Sequence, residues 1–387
     1  MRTPDGRVWT CAQYGYAFFL RYLEVFDHVE VVSRVCDVPV VPSHWQRVDG
    51  SGVSLIPVPY YIGPWQYLRR RPRIMRVFLA AAKTAEAVIF RGGSSFSDGL
   101  TRAWRTRPRP FGVEVVGDPW EVFSPGAFTH PLRPFFRLWF YRQQARLCLK
   151  ASAVAYVTKH TLQRRYPARA GALSASYSDV ELDNDAFVSS PRASSLDGTP
   201  ITLLTVATLA QLYKGQDTLI SAMARCVRQG LDLHLVLVGD GHYRSRLENQ
   251  AADLGLGERI RFLGELPSGA AVRAELDRAD LFVLPSRTEG LPRALVEAMA
   301  RGLPCVGSTA GGIPELLEPC DLVRPNDVQA LAEKVREVVT QPHRRAEMAL
   351  RNLQRARQYH ETLLRKTRED FYRYVKDRTA YARPLRP

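Results

Sequence analysis

No apolar run in these 387 residues approaches the ~18–20 needed to span a bilayer. The opening, Met1-Arg2-Thr3-Pro4-Asp5-Gly6, lacks the apolar core of a signal peptide, which predicts a chain that stays in the cytosol. The six cysteines (Cys11, Cys36, Cys148, Cys226, Cys305, Cys320) form no CxxC pair, and the histidines do not cluster. Such spacing argues against a zinc site or a disulfide framework and predicts reduced, mostly buried thiols. There is no zinc-finger spacing and no aromatic RNP-like strand, so nucleic acid is not the expected partner. Internal repeats and low-complexity tracts are absent too.

Acidic charge is scarce, but only in one half. The whole chain has 54 Lys+Arg against 39 Asp+Glu, a net +15. Residues 1–170 hold 25 basic against 11 acidic side chains, +14, and the remaining 29 against 28 leave +1. The basic residues are interleaved with large apolar ones in Trp65-Gln66-Tyr67-Leu68-Arg69-Arg70-Arg71-Pro72-Arg73 and again from Leu132 to Arg142. That composition suits the headgroup boundary of an anionic leaflet, where each basic side chain contributes roughly 1 kcal/mol. The length predicts two domains, each large enough for its own core, and 45% hydrophobic residues is ordinary for a globular protein.

Strands alternate with helices. A helix is expected over Val8–Asp27, with strands at Val29–Val32, Val53–Val58, Ala87–Phe90, Phe111–Val116 and Ala153–Thr158. An aperiodic Ser- and Asp-rich stretch from Ala168 to Pro200 reads as the linker. A second series opens at Ile201–Val206 and continues through Leu233–Val238, Ile260–Leu263 and Leu281–Leu284. This is the pattern of parallel doubly wound sheets. One departure stands out: the first helix begins almost at once, so the usual opening strand is missing. Gly6 is what remains of the glycine loop that should follow it. Either the start is truncated or the first sheet has one strand fewer.

The most telling stretch is Glu289-Gly290-Leu291-Pro292-Arg293-Ala294-Leu295-Val296-Glu297. A buried strand ends near Pro285, a loop carries Glu289 across its carboxyl end, and a helix beginning near Leu291 holds Glu297 about two turns in. Open α/β sheets bind ligands at the carboxyl ends of their strands. Two acceptor-only carboxylates beside helix-start N–H groups suit a ligand with many hydroxyls and a phosphate, such as a nucleotide sugar. Three further strand-to-helix junctions lie close by in sequence: Tyr213-Lys214-Gly215-Gln216-Asp217, Val236-Leu237-Val238-Gly239-Asp240-Gly241 and Gly311-Gly312-Ile313-Pro314-Glu315. The second is no dinucleotide fingerprint, because Arg244 occupies the third glycine position.

Taken together, Ile201–Leu317 resembles the nucleotide-sugar-binding half of the retaining family-4 glycosyltransferases of bacterial polysaccharide synthesis. The resemblance implies an α/β GT-B fold: two Rossmann-like doubly wound domains facing across a cleft. Residues 1–190 would bind the acceptor and 191–365 the donor, with a C-terminal helix over about 366–387 packing back on the first domain. By the same resemblance, Lys214 contacts the diphosphate and Glu289 the hydroxyls of the transferred hexose. Glu297 holds the ribose, and the backbone of Gly290, Leu291 and Arg293 lies near the phosphate. Gly239 and Gly241 would admit the base, and Gly312 belongs to the same donor site. The family usually has an arginine six positions before the lysine. Thr208 stands there instead and supplies no charge.

Many members of this family place a histidine after a first-domain strand, beside the transferred sugar. The matching junction here makes Asp118 the candidate for contact with sugar or acceptor hydroxyl, with a plain helix N-cap as the other reading. Arg91, before Gly92-Gly93, could hold an anionic acceptor, as could the Gly6 turn. No metal pair and no cofactor are expected; the donor, UDP- or GDP-linked, is a substrate. The expected acceptor is lipid-linked or a polysaccharide, met at the inner face of the cytoplasmic membrane. A sugar-nucleotide epimerase of the same fold and a catalytically silent nucleotide-sugar-binding protein remain as alternatives.

Overall fold

The computed structural model describes residues 1–11, 14–42, 45–92, 97, 99, 104, 109–125, 130–191 and 200–381. The second half forms a six-stranded parallel sheet. Its spatial order is Ile260–Gly264, Leu233–Val238, Ile201–Val206, Leu281–Leu284, Cys305–Ser308, Leu322–Val323. In sequence terms this is third, second, first, fourth, fifth, sixth, the Rossmann order. Strands such as Leu281-Phe282-Val283-Leu284 are continuously apolar because helices cover both faces, and all four residues are buried. Leu281 and Val283 point to one core with Leu203, Leu219 and Met223; Phe282 and Leu284 point to the other with Leu295 and Met299. The strand order reverses between Ile201–Val206 and Leu281–Leu284, which are directly paired. A crevice therefore opens at their carboxyl ends.

In the first half, Ile89–Arg91, Gly112–Val115, Ala153–Tyr156 and Leu173–Ser176 form a parallel sheet in chain order. Val29–Val35 and Val53–Pro59 form a separate parallel pair, and among the described residues no strand joins it to the other four. The opening strand of a doubly wound domain would lie between those two groups, and among the described residues no strand stands there.

Two expectations need correcting. The helix expected over Val8–Asp27 is only Tyr16–Leu23. Trp9–Thr10 instead pairs antiparallel with Gln46–Arg47, so the bulky spacing at Trp9 was not helical. Leu173–Ser176 is a strand, not linker; its Ser-Ala-Ser composition gives no apolar signal, and it pairs along Ala153–Tyr156. Part of the expected linker, 192–199, lies outside the described residues.

The last helix, Glu361–Tyr381, lies on the first domain. Tyr372 stacks on Tyr22 with ring centroids 4.6 Å apart, and Phe371 and Val375 share a core with Ala153 and Ala155. Residues 382–387 of the expected helix lie outside the described residues.

Candidate active site

Lys214 sits in the short turn Leu212–Lys214 after the first strand of the second sheet, and Glu289 follows the fourth. Because those strands are neighbours, both loops leave the sheet at the point where its order reverses. Lys214 Nζ donates to both carboxylate oxygens of Glu289, at 2.7 and 2.8 Å. Ser286 Oγ donates to the same carboxylate at 2.7 Å, and Glu289 is buried. Bidentate, charge-assisted contacts of this kind are short and directional. Arg287 fixes the lysine's loop: its N–H donates to Tyr213 O at 2.7 Å and its guanidinium to Asp217 at 2.8 Å.

Beyond Glu289 the chain turns sharply. Leu291 is buried, and the N–H groups of Gly290 and Leu291 carry no protein partner among the described residues. A Cβ on Gly290 would lie 2.5 Å from Val116 O, so only glycine fits where this loop meets the end of a first-domain strand. Pro292 is the N-cap, and the helix runs Arg293–Ala300, starting two residues later than the sequence suggested. Glu297 is therefore one turn in, and Arg293 is exposed. Burial pushes the Glu297 carboxyl up, partly offset by Arg293 and Arg273. Among the described residues no hydrogen bond or ion pair holds the Glu297 carboxylate, which leaves it open to a ligand's hydroxyls.

The other donor-site candidates shape loops. Thr208 Oγ1 accepts from Ala210 N–H at 3.2 Å and donates to Asp240 O at 3.4 Å. Gly239 and Gly241 have φ of 136° and 151°, and a Cβ on either would fall 2.0 Å from Ala207 O or 2.1 Å from Ala210 N. The Ala207–Ala210 loop packs where their side chains would stand, so glycine is required at both positions. Gly312 spends its N–H on Gly290 O at 2.7 Å.

In the first domain Asp118 is fully enclosed. It caps the helix Pro119–Val122 by accepting from Trp120 N–H at 2.9 Å, accepts from Tyr166 Oη at 2.6 Å and pairs with Arg165. It is thus the N-cap, closed to substrate. The carboxylate that faces the cleft is Glu121, one turn on. It accepts from Gly311 N–H at 3.2 Å and Glu289 N–H at 3.5 Å, both in the second domain. Sequence reasoning missed it; the only signal was its place one turn after the strand-to-helix junction.

Arg91 is also engaged. Its guanidinium donates to Glu114 at 2.8 Å and to Asp179, and it lies over Phe18. Two carboxylates already occupy the group proposed for an anionic acceptor, and Gly93 and Ser94 of its loop lie outside the described residues. Gly6 sits at an exposed turn with φ 81°, beside a shallow cavity of about 490 Å³ lined by Arg2 and Asp37. That hairpin pairs with Cys36–Val38, and nothing in it reaches Lys214 or Glu289. Among the described residues no cluster of three metal-ligating side chains occurs.

The folded chain has the architecture of a GT-B glycosyltransferase. A sucrose-phosphate synthase from Thermosynechococcus elongatus superposes with a TM-score of 0.67 at 19% identity, covering 90% of this chain and 89% of that one. Anabaena HepE in complex with UDP-glucose gives 0.60 at 22%, over 82% and 85%. At such identities the likeness establishes the fold. Residues 189–355 match the family described as Glycosyl transferases group 1. Staphylococcus aureus protein CapJ is 26% identical over 88% of this chain and 84% of its own length. A GDP-mannose-dependent monoacylated alpha-(1-6)-phosphatidylinositol monomannoside mannosyltransferase from Corynebacterium glutamicum is 38% identical, but over 35% of this chain and 37% of its own.

Proposed function

We propose that the chain is a retaining glycosyltransferase that moves a sugar from a UDP- or GDP-sugar to a lipid-linked or polysaccharide acceptor, without a bound metal or cofactor. The carrying observation is the Lys214–Glu289 pair at the sheet's reversal point, beside the open N–H groups of Gly290 and Leu291. Transfer breaks the bond between the anomeric carbon and the diphosphate oxygen. A bond to the acceptor oxygen forms on the same face, and the acceptor's proton passes to the departing phosphate. Negative charge grows on that phosphate as the bond breaks. Lys214 and preorganised N–H donors stabilise it without reorganisation. Glu289 accepts hydrogen bonds from the hexose, and Glu297 from the ribose. HepE, which binds UDP-glucose, and the GDP-mannose-dependent relative support both nucleotide classes as candidates.

The cytosolic membrane face is the second part of the proposal. The helix Gly63–Thr84 exposes Trp65 (82%) and Leu68 beside exposed Arg69, Arg71 and Arg73. The helix Arg133–Lys150 exposes Phe135, Leu138 and Trp139, while Arg137 turns inward over Trp120 at 3.8 Å. No helix among the described residues is long and apolar enough to cross a membrane, so contact would be peripheral. Incubation with labelled UDP- and GDP-sugars and a bacterial lipid extract tests the reading. Transfer supports it, an epimerised nucleotide sugar supports an epimerase, and binding without turnover supports a silent binding protein.

A further inference from the structure

Glu121 reaches out of the first domain on a half-buried side chain and takes one second-domain N–H with each carboxylate oxygen. The two N–H groups, of Glu289 and Gly311, follow adjacent strands of the second sheet, and so converge. A carboxylate gripped this way matches a phosphoryl group in charge sign and in its fork of oxygens. Its hold is loose: 3.2 Å is at the long edge of ordinary N–H···O bonds and 3.5 Å is beyond it. The surroundings oppose the charge. Burial pushes the Glu121 carboxyl up, the two N–H groups pull it back, Glu289 pushes it up and Arg137 pulls it down. Arg165, at 3.6 Å, is already committed to Asp118.

We propose that Glu121 is the resident anion of the donor site, holding the N–H pair that a phosphoryl group of a nucleoside diphosphate takes when donor enters. Donor binding is then an exchange of one anion for another, and Glu121 sets donor affinity from the acceptor half. This rests on the Lys214–Glu289 site being the donor site. Both anions cannot share two N–H groups beside Glu289, because like charges disfavour each other. The competition costs apparent affinity in proportion to the time Glu121 occupies the cradle. Nine-tenths occupancy weakens apparent binding about 10-fold.

The test is calorimetric titration of UDP and GDP into the full chain as wild type, Glu121→Ala and Glu121→Gln. Uridine and guanosine serve as phosphate-free controls. The expected result is about 10-fold tighter diphosphate binding in the alanine variant, a smaller gain in the uncharged glutamine, and unchanged nucleoside binding. Folding of each variant is checked by circular dichroism. Wild-type diphosphate binding with no gain, or a loss, in both folded variants overturns the proposal alone. If no chain binds either diphosphate, the donor-site reading falls and this inference with it.

Discussion

Glu121 and Glu315 bridge the two domains in opposite directions, each laying a carboxylate on the other domain's backbone. Glu121 leaves the first domain for Glu289 and Gly311. Glu315 leaves the second and accepts from the N–H groups of Lys159, His160 and Thr161 at 2.6, 3.1 and 2.6 Å, and from Thr161 Oγ1 at 2.6 Å. The second bridge has four donors where the first has two long ones. One reads as a fastening that stays and the other as a contact that can be exchanged.

The Glu315 bridge sets a pH dependence. Burial pushes this carboxyl up, but the Thr161 hydroxyl and the three N–H groups outweigh it and hold it below the usual range. A depressed carboxyl adds stability that is complete above its unfolded value and lost as pH falls through its folded value. Glu315→Gln should cost about 2 kcal/mol in urea unfolding at pH 7. The difference from wild type should shrink as pH falls from the ordinary carboxylate range through the lower folded value of this carboxyl. A gap that stayed constant with pH would show that the charge is not what binds.

Turnover should separate the site residues. Lys214→Ala and Glu289→Ala are each expected to lower kcat by roughly 10²-fold or more, the scale of losing a transition-state stabiliser. Glu297→Ala should act mainly on donor KM, since its contact is made equally before and during transfer. Steady-state kinetics on folded variants decide this, and wild-type values in all three would remove the site assignment.

Arg91 should prove structural. Its pair with Glu114 is buried, and Tyr22 and Tyr177 donate to the same carboxylate at 2.6 Å. Arg91→Met leaves that charge uncompensated and should cost about 3–5 kcal/mol in chemical unfolding. Donor affinity per mole of folded protein should not change. A stable variant with impaired acceptor kinetics would restore the binding role.

Vesicle co-sedimentation checks the membrane surface. Binding is expected to anionic but not neutral liposomes, and should fade as salt shortens the screening length from ~10 Å at 0.1 M to ~3 Å at 1 M. Arg69, Arg71 and Arg73 changed together to Ser should weaken it. Indifference to vesicle charge would favour a soluble acceptor.

The second domain was legible because buried parallel strands are continuous apolar runs, and its loops follow at the carboxyl ends. Ile201–Val206, Leu233–Val238 and Leu281–Leu284 stand where their composition put them, and Lys214 meets Glu289 because their strands are adjacent. The first domain was harder. Leu173–Ser176 is a strand by neighbour pairing rather than by its own side chains. Trp9 mimicked a helical spacing while lying in a hairpin. Asp118 and Glu121 are both acidic residues near one helix start. Which is enclosed depends on Tyr166 and Arg165, more than forty residues away, and no local pattern encodes that.

The last helix also bears on the order in which the protein is made. Tyr372 supplies a hydroxyl to Glu114 at 3.0 Å across 258 residues of chain, and the Tyr22 ring waits for the same partner. At ~5–20 residues per second, roughly 13–50 s of synthesis separate Glu114 from Tyr372. The second domain's sheet leaves the ribosome within that interval. The half that is translated first is therefore the half that closes last, with a buried carboxylate short of a donor until Tyr372 has been made.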